Sequence, residues 1–371
     1  MADPADDGPP RDPIESAFSV YETRRDGARW LFFGDPQTEP DAVVKELWPS
    51  FRAAGYEPRL TLQRGEYVLV AEPTTTGVDG IPWTNVTLFV LTVLSTLFAG
   101  SMWYHIDPIT NPTEVWRAWP FAAAILGVLG VHEMGHYLAS RYYGVEASLP
   151  YFLPVPTLIG TMGAVIKLEG RMPDRRALFD IGVAGPLAGL VAAVAVTLVG
   201  LHLPPVHAPD ELVSSPDAVG FRLGFPPLLE GLAALVNQPL YRDDPSTTVN
   251  PVVIAGWVGM LVTFLNLIPV GQLDGGHVLR AMLGRWQELV GALVPGALFV
   301  LAGFLYYVEG HAGAAVMIWV LWGLIAAFLA AAGPAKPVYE DGVGPARVVV
   351  GVATFGLGAL CFMPVPIEIV S

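Results

Sequence analysis

Past residue 83 the chain is built of long apolar runs separated by short polar breaks. Seven runs stand near the roughly 20 residues that a helix needs to cross a bilayer: 84–104, 119–141, 178–201, 251–270, 289–307, 312–332 and 346–364. The last is glycine-rich and bounded by prolines, a pattern that also suits an interfacial segment, so the expectation is six to seven transmembrane helices. Between the second and third runs, residues 150–166 are apolar but cut by Pro150, Pro154, Pro156, Gly160 and Gly163. Such backbone is tolerated at membrane depth only inside protein or along a cavity. It reads as a re-entrant loop, strand-like at Ala164-Val165-Ile166.

Ahead of the spans the periodicity changes. Arg29-Trp30-Leu31-Phe32-Phe33 suits a strand, and Thr38-Glu39-Pro40-Asp41 opens a helix that runs to about Ala54. Arg59-Leu60-Thr61-Leu62 and Tyr67-Val68-Leu69-Val70 form a hairpin pattern turning at Arg64-Gly65. The fold class is therefore a polytopic α-helical membrane protein carrying a small N-terminal α+β domain. Its expected divisions are an acidic, proline-rich disordered tail (1–15), the soluble domain (16–76) and a transmembrane domain (84–371). The tail lacks the basic start and apolar core of a cleaved signal peptide. The soluble domain reads either as a regulatory or substrate-presenting cap, or as an appendage with no separate role.

Composition agrees with the pattern: 53% of the 371 residues are hydrophobic and 15% charged. The net charge is −14, and the lysines are Lys45, Lys167 and Lys336 alone. Acid-rich, lysine-poor surfaces are what high-salt proteomes tend toward, and the same acidity argues against a nucleic-acid partner. Cys361 is the single cysteine, so a metal must be held by His, Asp or Glu. With seven spans, Lys and Arg fall seventeen on the side of the N-terminal domain and three (Arg117, Arg222, Arg242) on the other. That asymmetry predicts a multi-pass plasma-membrane protein with the N-terminal domain in the cytoplasm. The acidic loop 202–250, with Asp210, Glu211, Asp217, Glu230, Asp243 and Asp244, then faces outward.

One motif carries chemistry. Val131-His132-Glu133-Met134-Gly135-His136 is an H-E-x-x-H run inside the second span. On a helix the two histidines share a face and can ligate one zinc ion, with Glu133 close enough to activate water there. Three ionisable groups within five residues of a membrane segment are costly without such a partner. A catalytic zinc takes three protein ligands. His105, His202, His207 and His311 fall in loops expected outside, whereas the fourth span continues as Asn266-Leu267-Ile268-Pro269-Val270-Gly271-Gln272-Leu273-Asp274-Gly275-Gly276-His277. Spans two and four run in the same direction, and at about 1.5 Å per residue His132 and Asn266 lie at similar depth. Pro269 interrupts the helix, so Asp274 can turn toward the histidines or, alternatively, cap a helix over 275–284. His277, one turn further, can substitute as a ligand or orient that carboxylate.

The pair H-E-M-G-H and N-L-I-P-V-G-Q-L-D-G resembles the signature pair of the site-2 protease family of intramembrane zinc metalloproteases. G-T-M-G (160–163) and V-A-G-P-L-A-G (183–189) add to the likeness, which covers a core of about 119–284. The soluble N-terminal domain and extra spans are similar to the archaeal and plastid-type branch, and loop 202–250 is too short for the PDZ insert of many bacterial relatives. The resemblance implies Zn2+ held by His132, His136 and Asp274, with Glu133 as general base and acid. Asn266 would hydrogen-bond the substrate or the tetrahedral intermediate. Gly160, Thr161, Met162, Gly163, Ala164, Val165 and Ile166 would form the strand that pairs with an unwound, membrane-anchored protein substrate, an arrangement that strand addition favours on its own. The rival reading is a transporter with the same His/Glu/Asp cluster on an ion path. The H-E-x-x-H order with a remote Asp-Gly weighs against it.

Overall fold

The computed structural model describes residues 8–74, 80–209, 220–242, 244 and 246–370. Residues 1–7 of the expected tail and the loop acids at 210, 211, 217 and 243 lie outside the described residues.

The N-terminal domain is a four-stranded antiparallel sheet with helices packed on it. In order it comprises α1 (Arg11–Ala17), β1 (Phe18–Asp26), β2 (Arg29–Pro36), α2 (Pro40–Ala53), β3 (Tyr56–Gln63) and β4 (Glu66–Pro73), with strands ordered β1-β2-β4-β3. Pro40 sits in the first turn of α2, where its missing N–H costs nothing. Val43, Leu47 and Phe51 recur at helical spacing and pack with Phe18, Phe32 and Leu69. The β3–β4 turn places Arg64 and Gly65 at φ 52° and 90°, as a two-residue hairpin with positive φ at both positions requires.

Two features depart from the expectation. The tail does not extend to residue 15, because α1 buries Ile14 and Ala17 against α2. β1 is an added edge strand that precedes the expected β-α-β-β unit. Its exposed positions carry Glu22, Arg24 and Arg25, so it lacks the apolar alternation that marks a strand with a buried face.

The remainder is largely helical: α3 (Trp83–Trp103), α4 (Trp119–Tyr142), α5 (Arg175–His202), α6 (Pro227–Leu235), α7 (Pro251–Asn266), α8 (Asp274–Leu283), α9 (Trp286–Tyr307), α10 (Gly313–Ala332) and α11 (Pro345–Leu360). Five helices among the described residues are long and apolar enough to cross a membrane: α3, α4 with the turn before it, α5, α9 and α10. The fourth and seventh expected spans are apolar helices of 16 residues each, α7 and α11. At 1.5 Å per residue they rise about 24 Å, short of the roughly 30 Å hydrocarbon core. α7 is short because the chain leaves the helix at Asn266, ahead of Pro269. It is also central, with every residue from Pro251 to Met260 buried. Together α4, α5 and α7 form the core of the membrane domain.

Between α4 and α5 the expected re-entrant segment forms an antiparallel pair, β5 (Tyr151–Pro154) with β6 (Thr161–Val165), joined at its neck by Glu146–Ala147 pairing with Leu168–Glu169. Residues after α11 return as β8 (Ile367–Val370), which pairs with β7 (Gly220–Leu223).

Candidate metal and catalytic centre

α4 carries His132, Glu133 and His136, all three buried. The two histidine rings fit between the helices because α5 presents Gly185 and Gly189 to them. A Cβ on Gly185 would collide with the His136 ring, one on Gly189 would meet His132 Nδ1 at 2.8 Å, and one on Gly135 would press on the Ala184 carbonyl at 2.5 Å. His136 Nδ1 lies 2.8 Å from the Ile181 carbonyl of α5. A carbonyl only accepts, so Nδ1 carries a proton, which leaves Nε2 as the ring nitrogen that would ligate a metal.

The third group arrives from α7 and α8. α7 ends at Asn266, the chain reverses through Pro269 and Gly271, and α8 begins at Asp274. Gly271 has φ 52° and lies under the Leu329 carbonyl of α10, a conformation and a closeness that suit glycine. Gly275 and Gly276 are pressed against the Leu267 and Gly271 carbonyls, which accounts for the D-G-G run. Asp274 thereby reaches the histidines while standing in the first turn of α8. His136 Nε2 is 3.2 Å from His132 Nε2, and Asp274 Oδ2 is 3.2 Å from His136 Nε2 and 3.4 Å from His132 Nε2.

These separations test the fit to zinc. Ligand bonds of about 2.0–2.1 Å at tetrahedral angles place neighbouring donor atoms about 3.3 Å apart. The three observed distances equal that edge within 0.1 Å, from two imidazole nitrogens and one carboxylate oxygen. Among the described residues these are the three that gather as a metal-ligating group. His277 is not part of it: its Nε2 is buried with no hydrogen-bond partner among the described residues, and its Cβ faces Gly182 of α5. The other histidines lie away from the site, His202 on the Leu198 carbonyl, His207 on Thr247 and His311 between Glu309 and Glu368.

Around this cluster, Asn266 places Nδ2 3.3 Å from His132 Nε2, so the expectation of equal depth is met at atomic contact. The Ile166 amide, just past β6, faces the Glu133 carboxylate. Among the described residues β6 is paired with β5 alone, and no strand lies on its other edge. Along 160–165, Thr161 is buried and bonds the Leu153 carbonyl at 2.9 Å, while Met162 is 72% exposed.

What the residue pattern did not reveal is how this hairpin is held. α3 binds it at three heights. Asn85 donates to the Leu149 carbonyl at 2.9 Å, Ser95 to Gly160 at 2.6 Å and Trp103 to Leu158 at 2.8 Å. The available signal was the presence of Asn85 and Ser95 in a lipid-spanning stretch, where polar side chains need a protein partner.

Residues 120–304 match peptidase family M50. The chain is similar to the probable zinc metalloprotease EGY2, chloroplastic, of Oryza sativa subsp. indica, 32% identical over 248 residues that make up 66% of this chain and 42% of that protein. It is 30% identical to the Arabidopsis thaliana protein of the same name over 80% of this chain and 51% of that one. It is 37% identical to the probable zinc metalloprotease EGY1, chloroplastic, of Arabidopsis thaliana over 49% of this chain and 34% of that protein. The chain thus spans about half or less of the length of the curated relatives it matches. Among solved structures, the site-2 protease from Methanocaldococcus jannaschii aligns with 65% of this chain and 87% of that chain, at 16% identity and a TM-score of 0.34.

Proposed function

We propose that this chain, whose residues 120–304 match peptidase family M50, is an intramembrane zinc metalloprotease, cleaving peptide bonds within or near the transmembrane segments of membrane-anchored proteins. One observation carries the reading: His132, His136 and Asp274 converge at zinc-ligand spacing directly beside the buried carboxylate of Glu133. The names of the plant relatives as zinc metalloproteases support it.

Zinc held by these three residues would polarise a peptide carbonyl and make water acidic enough to serve as a nucleophile near neutral pH. The remaining work falls to the chain's own side chains. Glu133 accepts the proton of the attacking water and returns it to the departing amine nitrogen. Asn266, at the end of α7, has an amide free to donate to the tetrahedral oxyanion once His132 Nε2 is engaged as a ligand. The open edge of β6 offers backbone N–H and C=O groups to an extended substrate, which must first unwind from its helix. Closely packed helices around the site exclude lipid from it.

The surroundings follow from the same reading. Counting α7 with the five longer helices gives six spans, and counting α11 as well gives seven. The N-terminal domain faces the cytoplasm, the chain resides in the plasma membrane, and its partners are the bilayer and a membrane-anchored protein substrate.

The test is the Glu133→Gln variant, purified alongside the wild type and assayed for metal and for cleavage of a membrane-anchored test protein. The expected result is about one zinc in each protein, with cleavage only by the wild type, and an uncleaved protein co-purifying with the variant. Cleavage by Glu133→Gln would remove Glu133 as the base. A wild type that holds zinc but cleaves no membrane-anchored protein would overturn the protease reading.

A further inference from the structure

The loop that leaves α4 at Tyr142 and enters α5 at Arg175 carries the β5–β6 hairpin at its far end. Two-stranded hairpins are marginal on their own and need outside support. α3 supports the far end. The near end is a narrow neck, closed by the Glu146–Ala147 to Leu168–Glu169 pairing and by Ser148 N–H on the Lys167 carbonyl at 2.9 Å.

Both sides of that neck are gripped by the N-terminal domain. On one side, the Arg52 guanidinium of α2 donates through Nη2 to the Gly144 carbonyl. On the other, the Arg171 amide donates to Glu57 Oε1 of β3 at 2.8 Å. The two gripping side chains are themselves paired, Arg52 Nη1 to Glu57 Oε2 at 4.0 Å, and both are largely buried. Gly170 has φ 89° and leaves no room for a Cβ, which would strike Glu57. A second contact keeps the domain seated: Trp48 and Val44 of α2 pack on Val338, and the Tyr339 hydroxyl donates to the Lys45 carbonyl at 3.0 Å. Val338 and Tyr339 in turn donate their amides to the Met172 and Pro173 carbonyls, at 2.9 and 3.0 Å, beside the same neck.

We propose that the N-terminal domain is a brace for the substrate-holding strand, with Arg52 and Glu57 as positioning residues that fix the neck and thereby the β6 edge and the Ile166 amide against Glu133. Arg171, where Glu57 makes its contact, is five positions after Ile166. A neck fixed on both sides therefore limits how far the strand edge shifts. Strand addition benefits from such preorganisation, because the ordering cost is met before the substrate arrives. The functional consequence rests on the protease reading; the mechanical part rests on the contacts alone.

Two measurements on the full-length protein separate these parts. In hydrogen–deuterium exchange, Glu57→Ala and Arg52→Ala raise exchange across 151–166 while β2 and β4 keep wild-type protection, which shows that the domain remains folded. In cleavage of a membrane-anchored test protein, the same variants raise KM about tenfold, the size of one lost charge-assisted hydrogen bond, with kcat little changed. Glu57→Gln retains an acceptor for the Arg171 amide and restores most of the effect. Arg24→Ala, at the exposed Glu22 pair on β1, changes neither measurement. Wild-type exchange across 151–166 in Glu57→Ala and Arg52→Ala overturns the brace. Faster exchange with an unchanged KM overturns its role in substrate binding. If the wild type cleaves nothing, the protease reading fails and the exchange result still decides the brace.

Discussion

Gly185 of α5 and His136 of α4 meet so closely that a Cβ on the glycine would overlap the imidazole. The His136 ring is also fixed by its Nδ1 bond to the Ile181 carbonyl, one turn earlier on α5. The metal site therefore depends on the absence of a side chain as much as on the ligands themselves. Gly185→Ala is expected to displace the ring, break the bond to Ile181 and lower zinc affinity at least about tenfold, the range seen when partners of ligands are lost. Gly127→Ala, on the same helix as His136 with nothing within 4 Å of its added methyl, should keep full metal content. Metal analysis of the two purified variants checks the pair. Equal zinc in both would mean that the helices separate without cost.

Asn266 separates ligation from catalysis. Its amide lies 3.3 Å from His132 Nε2, yet an amide NH2 is a poor zinc ligand beside two imidazoles and a carboxylate. Asn266→Ala should leave the zinc content unchanged and reduce kcat about 10²–10³-fold, the usual effect of losing one oxyanion donor. Parallel metal and single-turnover measurements decide the matter. Loss of metal together with activity would make Asn266 a packing partner of His132.

How much of this was legible beforehand depended on how local each relationship is. His132, Glu133 and His136 lie within one turn of helix, so spacing alone gathers them. Asp274 was reachable because Pro269 and the glycines that follow mark a chain reversal at the right depth. The β3–β4 hairpin was legible in Arg64-Gly65. By contrast, β1 is an edge strand with charged exposed positions, and nothing in its pattern distinguishes it from a polar loop. The shortness of α7 was hidden because Leu267, Ile268 and Val270 are as apolar as the helix they follow. The grip of α3 on Leu149, Leu158 and Gly160, and that of Arg52 on Gly144, join residues far apart in the chain. No periodicity encodes which carbonyl a polar side chain will find.

The ion pair between Arg347 and Asp180 is another such long-range relationship. Arg347 of α11 holds both carboxylate oxygens of Asp180 on α5, at 2.9 and 2.7 Å, and the Tyr143 hydroxyl donates to the same carboxylate. Asp180 directly precedes Ile181, whose carbonyl orients His136. A helix outside the 120–304 match thus anchors the first turns of α5 where they meet the metal site. Arg347→Ala is expected to weaken zinc binding about tenfold, as loss of outer partners does elsewhere. Arg347→Lys should recover only part, since an ammonium cannot make the two-pronged contact. Chelator competition on purified protein reads the affinities, and wild-type retention in Arg347→Ala would show that α5 needs no such anchor.

On the opposite end of the molecule, His311 ties the α9–α10 loop to β8. Its Nδ1 is 3.0 Å from Glu368 Oε1 and its Nε2 is 3.3 Å from Glu309 Oε2. The hydrogen bond to Glu368, then that to Glu309, holds the imidazole above its ordinary value of 6.5. A histidine raised in this way stabilises the folded arrangement while it is charged. The contribution is complete below about pH 6.5 and is lost as pH rises through the raised value. Amide exchange of β8 and its partner β7, corrected for the intrinsic pH dependence of exchange, should therefore show stronger protection at pH 6 than at pH 9. The His311→Gln variant keeps a polar side chain but no titration, so its corrected protection should be the same at both values. A wild type whose β7–β8 protection does not change with pH would show that the His311 charge contributes nothing to this contact.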